Sequence, residues 1–237
     1  GRVWPFDSGS DRDNYGFRWG NHGRVCTSFP KQPQGRQRQN ADGEDEGPGP
    51  FGPHGWYEEW DVLDQIVLKG MQNIMMAILL PVVDTRCYNM KGRGGQKGAV
   101  NSVARAIPEY KYIYKSDIAS YYSSVNHDIL IDKLSKFIKN RAFLNLVARF
   151  LAHPRIIHGA YKETYLGISR GTSISYLLGV VYLMELDEVF IKRKSCFYVR
   201  YMDDFICMTN NKYLLRRCIS RANKVLSGLK LSTAIEK

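Results

Sequence analysis

Two carboxylates side by side, Asp203 and Asp204, stand between two short apolar runs, 196–201 and 205–209. Phe197 and Val199 precede them and Phe205 and Ile206 follow, the pattern of two strands around a tight bend. Tight hairpin bends favour Asn-Gly or Asp-Gly, whose residues tolerate left-handed backbone. Met202-Asp203 is a poor substitute, and two adjacent like charges add repulsion. A chain can keep such a bend if a divalent cation neutralises it, and Mg²⁺ takes a few carboxylates together with water and phosphate oxygens. Side chains of neighbouring strand residues diverge, so a third carboxylate from an adjacent strand is required. Asp117 is the candidate, because it lies near the end of an alternating run rich in Tyr and Ile that reads as a strand over 111–118. A carboxylate at that strand end would complete two cation sites about 3.5–4 Å apart, the spacing used for in-line displacement at phosphorus. Each piece alone has a plainer reading: Asp-Asp as a solvated turn, Asp117 as a helix N-cap. The metal reading rests on the combination.

The rest of the chain sets the context. It has 237 residues, 44% of them hydrophobic, and a formal net charge of +11. Residues 1–55 hold seventeen Gly plus Pro, and their seven basic and seven acidic side chains cancel. Such a stretch cannot bury enough apolar area to offset its ordering entropy, so it reads as loop or disorder ending in a linker at 42–55. The positive surplus therefore lies in residues 56–237, and a basic folded domain attracts polyanions by counterion release. The five cysteines include no pair at zinc-ligand spacing and read as free thiols in a reducing compartment. With no secretory signal, a cytoplasmic location is expected. The longest apolar run, 74–83, is shorter than the roughly 20 residues that span a bilayer, so no membrane partner is expected. The first residue is not Met, and Lys237 falls inside an unfinished element, which reads as a fragment.

Apolar residues from Val62 to Leu79 recur at i, i+3 and i+4 and predict one long amphipathic core helix ending before Pro81. Residues 91–115 carry Gly92, Gly94, Gly95 and Gly98 with six basic residues and one acid. This is a positive, flexible segment feeding a helix over 99–107, and Lys91, Arg93 and Lys97 become candidate nucleic-acid contacts. Further helices are expected from 128, with Asn126 as N-cap, over 174–191, buried all round, and over 213–226. A last strand is expected over 229–234. The fold class is α+β, an antiparallel sheet with helices packed on one face.

These residues resemble a known family. Tyr201-Met202-Asp203-Asp204 is similar to the YxDD box of reverse transcriptases, and with Arg200 and Phe205 it resembles the bacterial form found in group II intron, retron and defence-associated enzymes. Asp117-Ile118 through Asn126-His127-Asp128 resembles the first palm motif. Gly171-Thr172-Ser173-Ile174-Ser175 resembles the motif that opens the buried palm helix. The resemblance implies a loosely ordered segment at 1–55, partial fingers at 56–116 and a palm at 117–237 without a thumb. It implies an RNA-directed DNA polymerase that adds dNTPs to a DNA or RNA primer on an RNA template, possessing a mobile-element or antiviral-defence role and a structured cognate RNA. Asp117, Asp203 and Asp204, with the Ile118 carbonyl, would hold two Mg²⁺, or Mn²⁺ in their place. Tyr122 would be the gate against a 2′-hydroxyl, and Arg170 and Gly171 would face the nucleotide. Tyr201 and Met202 would meet nucleic acid, and Lys237 would protonate pyrophosphate. Arg36 and Arg38 resemble a basic fingers hairpin. Ser169-Arg170-Gly171 departs from the usual Pro-Gln-Gly and marks a divergent branch. The same resemblance leaves two alternatives: an RNA-templated RNA polymerase, or an idle, maturase-like scaffold that binds nucleic acid.

Overall fold

A computed structural model of the chain describes residues 60–153, 165–193 and 195–233, and the backbone of 155–157 and 160–162. Arg36, Arg38, Lys237 and the expected disorder of 1–55 lie outside the described residues.

Helix α1 (Val62–Leu79) starts at Asp61, whose side chain accepts from the Leu63 N–H, and ends before Pro81 as expected. Only Leu68, Met71, Met75 and Leu79 are buried; Val62, Leu63, Ile66, Val67 and Ile74 are exposed. The core reading therefore holds for one stripe of the helix. By length and composition alone α1 could cross a bilayer. Here its buried stripe packs against α6 (Ser175–Tyr182).

Helix α2 (Gly95–Ala106) begins four residues before its expected start and is capped by Gly94 in left-handed backbone, φ +87°. Gly98 permits the close approach of the preceding loop: a Cβ there would meet the Arg93 carbonyl oxygen at 3.0 Å and the Tyr88 ring at 3.1 Å. A 3₁₀ turn (Ile107–Glu109) leads into strand β1 (Tyr112–Ser116). A short helix α3 (Tyr121–Ser124) precedes α4 (His127–Phe137), which Asn126 caps through the Ile129 N–H. Helix α5 (Arg141–Leu151) was not expected from the sequence. It is followed by the small hairpin β2 (Arg155–Ile157) and β3 (Ala160–Lys162).

The helix expected over 174–191 is two helices, α6 and α7 (Met184–Ile191). They meet at Leu183, whose φ −97° and ψ 4° leave helical geometry. Strands β4 (Phe197–Tyr201) and β5 (Asp204–Thr209) form the expected hairpin, and α8 (Lys212–Gly228) follows with Leu215, Cys218, Ala222 and Leu226 buried. The strand expected over 229–234 reduces to an isolated bridge of Thr233 to Ile118 among the described residues.

The main sheet is antiparallel, in the order β1-β5-β4. β1, which the sequence reading grouped with partial fingers, is thus a strand of the same sheet as the hairpin. Helices α7 and α8 pack on this sheet, and α4 and α6 extend the core away from it. Tyr121 ties the end of β1 to α6: its hydroxyl donates to the Gly179 carbonyl at 2.6 Å. Gly179 makes room, since a Cβ there would lie 3.3 Å from the Tyr121 ring.

Candidate active site

The register fixes where the acids meet. Ser116 of β1 pairs with Phe205 of β5, and Tyr201 of β4 pairs with Asp204. Asp117 therefore leaves β1 beside the start of β5, at the hairpin tip, and only Met202 and Asp203 span the turn. Asp203 senses both neighbours. Burial pushes its carboxyl pKa up, and the charges of Asp117 and Asp204 and a side-chain hydrogen bond shared with Asp117 push the same way, against a backbone hydrogen bond that pulls it down.

Among the described residues no three His, Cys, Asp or Glu side chains stand in ready-made metal geometry. The Asp117 Oδ1 accepts from the Ile118 N–H at 2.8 Å. The donor set nevertheless fits a hard divalent cation, which takes one or two carboxylates directly and completes its shell with water and phosphate oxygens. Asp203, whose ionisation is opposed by its burial and by the neighbouring carboxylates, is the kind of group that such a charge relieves.

The turn itself adopts the conformation its sequence disfavours. Met202 has φ +58°, where a residue with a Cβ is strained. The Met202 carbonyl accepts from Arg200 Nη1 at 3.0 Å, and its sulfur receives the Tyr122 hydroxyl at 3.7 Å and Asn89 Nδ2 at 3.6 Å. Tyr122 thus sits under the turn, half-buried, with the Arg170 guanidinium carbon 5.8 Å from its ring centre.

A cleft of about 1170 Å³ opens beside the acids. Of the residues singled out in the sequence, Lys91, Tyr122, Arg170, Gly171, Tyr201, Met202 and Asp203 line it. Lys97 is exposed but does not line it. Arg93 has a different task from the expected phosphate contact. Its guanidinium donates to the carbonyls of Val83 at 2.7 Å and Leu80 at 3.1 Å, and also to Asp84. It ties the glycine-rich loop to the chain leaving α1, supplying donors to carbonyls near a helix end.

Sequence reasoning missed the opposite wall. Lys69, Gln72 and Asn73 of α1 also line the cleft. Gln72 Nε2 donates to the Tyr176 hydroxyl at 2.9 Å, which links α1 to α6 across the cleft floor. Three polar residues inside an apolar helix were the available signal. Also missed was Asp187, buried beneath the hairpin and bonded to Arg200.

Comparison with known proteins agrees with this arrangement. Residues 62–237, well over half of the chain, match the family described as reverse transcriptase (RNA-dependent DNA polymerase). An uncharacterized 91 kDa protein in cob intron of Schizosaccharomyces pombe is 27% identical over 134 residues, which cover 56% of this chain and 17% of that protein. The group II intron-encoded protein LtrA of Lactococcus lactis subsp. cremoris is 24% identical over 134 residues, covering 56% of this chain and 22% of LtrA. The chain spans only about a fifth of these relatives. In fold it is similar to apo telomerase from Candida tropicalis, with TM-score 0.53 at 12% identity over 71% of this chain and 35% of that one. It is likewise similar to telomerase from Candida albicans in complex with the TWJ fragment of telomeric RNA, with TM-score 0.51 at 12% identity over 75% and 35%. From the strand register to the motif order, the chain belongs to the reverse transcriptase (RNA-dependent DNA polymerase) family.

Proposed function

We propose that the chain is the fingers-and-palm part of an RNA-directed DNA polymerase that adds dNTPs to a primer 3′-hydroxyl on an RNA template. The supporting observation is the meeting of Asp117 with Asp203 and Asp204 at one end of the antiparallel sheet, beside a cleft that holds Tyr122, Arg170 and Lys91. Asp117, Asp203, Asp204 and the Ile118 carbonyl would hold two Mg²⁺, with Mn²⁺ as a substitute. Bound there, the ions would supply activation of the 3′-hydroxyl and charge neutralisation on the leaving pyrophosphate. The residues of the chain do the rest. Tyr122 packs under Met202 and presents its ring where an incoming sugar would lie, so a 2′-hydroxyl meets it. Arg170 and Gly171 border the same space for the triphosphate. Lys91 places positive charge at the rim for a template or primer backbone.

The LtrA and cob-intron relatives extend the proposal to a protein of a bacterial or intron-borne lineage with a structured cognate RNA as partner. A cytoplasmic location goes with it, in keeping with the free thiols of the described cysteines. A second reading, an intron-type RNA-binding scaffold without catalysis, draws on the similarity to the group II intron-encoded protein LtrA.

One experiment separates them. The full natural protein is assayed for dNTP addition to a primer on an RNA template with Mg²⁺, beside its Asp203→Asn variant. The polymerase reading expects the variant to lose on the order of 100-fold or more, the scale on which one transition-state electrostatic contact acts. Equal rates, or no addition by the natural protein while RNA binding persists, would favour the scaffold.

A further inference from the structure

Arg200 is the largest fully buried side chain of the described residues, with 0% exposure. Its Nε donates to Asp187 Oδ1 and its Nη2 to Asp187 Oδ2, both at 2.6 Å, and the Tyr198 hydroxyl donates to the same Asp187 Oδ1 at 2.7 Å. Burial works against the Arg200 charge, but Asp187, together with Cys87 and Tyr198, outweighs it and holds the guanidinium well above the usual arginine range. The Arg200 backbone is held too: its N–H donates to the Arg86 carbonyl at 3.0 Å, and its carbonyl accepts from the Tyr88 N–H at 2.8 Å.

A buried ion pair is a weak source of stability, because well-packed apolar replacements often do as well or better. The surroundings here are apolar and aromatic, with Phe190 stacked on Tyr198 at 4.7 Å and Phe205 against both. An apolar pair would suit them. What an apolar pair could not do is make the third bond, from Arg200 Nη1 to the Met202 carbonyl at 3.0 Å. The guanidinium is planar and rigid, so two parallel bonds to Asp187 also fix the direction of the remaining N–H. That N–H meets the one residue of the turn in left-handed backbone, φ +58°. Strained residues persist where the surroundings over-determine them.

We propose that Asp187 and Arg200 are positioning residues: from α7 through β4 they clamp the Met202 carbonyl, hold the turn in its strained form and so set where the Asp203 carboxylate points. The consequence for cation binding rests on the reading of the three acids given above. The clamp itself does not.

The test uses the full natural protein carrying ¹³C-methyl methionine, with the Met202 signal identified by its loss in Met202→Leu. Two variants are compared with the natural protein. In Asp187→Leu/Tyr198→Phe/Arg200→Met the network becomes apolar without leaving an unpaired charge. In Arg200→Lys the charge stays and the fork is lost. Thermal unfolding shows that each folds, and Mn²⁺ titration reads the cation site. The clamp predicts a displaced, narrowed Met202 methyl signal in both variants, with half-saturation by Mn²⁺ raised about tenfold or more, the size of effect seen when groups supporting metal ligands are removed. A Met202 signal unmoved in a folded variant overturns the proposal, and Arg200→Lys alone decides if the triple variant does not fold. If the natural protein binds no Mn²⁺ and extends no primer while the Met202 signal still moves in the variants, the clamp stands and the cation reading falls.

Discussion

Two walls of the cleft are held by opposite means. The hairpin wall rests on fully buried groups: Tyr198, Phe205, Arg200 and Asp187 interlock beneath the turn, and each polar atom of Arg200 and Asp187 named above has a partner. The glycine-rich loop, which also lines the cleft, shows Lys91 and Gly92 to solvent and takes left-handed backbone at Gly92, Gly94 and Gly95. Its tie to α1 runs largely through the half-buried side chain of Arg93. The difference teaches that one wall is fixed by buried groups bonded to one another. The other is built with few buried contacts, the property of segments that open and close at low cost.

Four substitutions measure that contrast, each read by urea unfolding. Asp187→Ala strands a buried guanidinium, and the expected loss is about 3–5 kcal/mol. Arg93→Ala takes a donor from carbonyls that remain partly reachable by water, and the expected loss is about 1–3 kcal/mol. Equal losses at the two sites would break the comparison. The smallest effects come from glycine. Gly98→Ala forces a Cβ to 3.0 Å from the Arg93 carbonyl, whereas Gly70→Ala, in mid-α1, meets nothing within 4 Å. Stability should fall by about 1 kcal/mol at Gly98 and rise by about 0.5–1 kcal/mol at Gly70. A gain at both would mean that the loop yields freely.

Much of the site was legible in the sequence because its signals are local. The two apolar runs around Asp203-Asp204 set the hairpin, the alternation before Asp117 set β1, and the register then brought them together. Asn126 announced α4 by capping chemistry. The break at Leu183 was not legible, since apolar residues on both sides erase any period. The role of Arg93 depends on carbonyls up to thirteen residues away, which carry no side-chain signal. Helix α5 was legible and overlooked: Asn140 caps it, and Val147, Phe150 and Leu151 mark its buried stripe. Asp187 and Arg200 were legible as charges inside apolar runs, but nothing in either run says that they face each other.

The central claim is that acids from two separate stretches share one cation site. Mn²⁺ binding to the full natural protein, followed by electron paramagnetic resonance, tests it with Asp117→Asn and Asp204→Asn side by side. The account predicts that each substitution alone weakens binding by a similar, large factor. Binding that survives Asp117→Asn unchanged would contradict it.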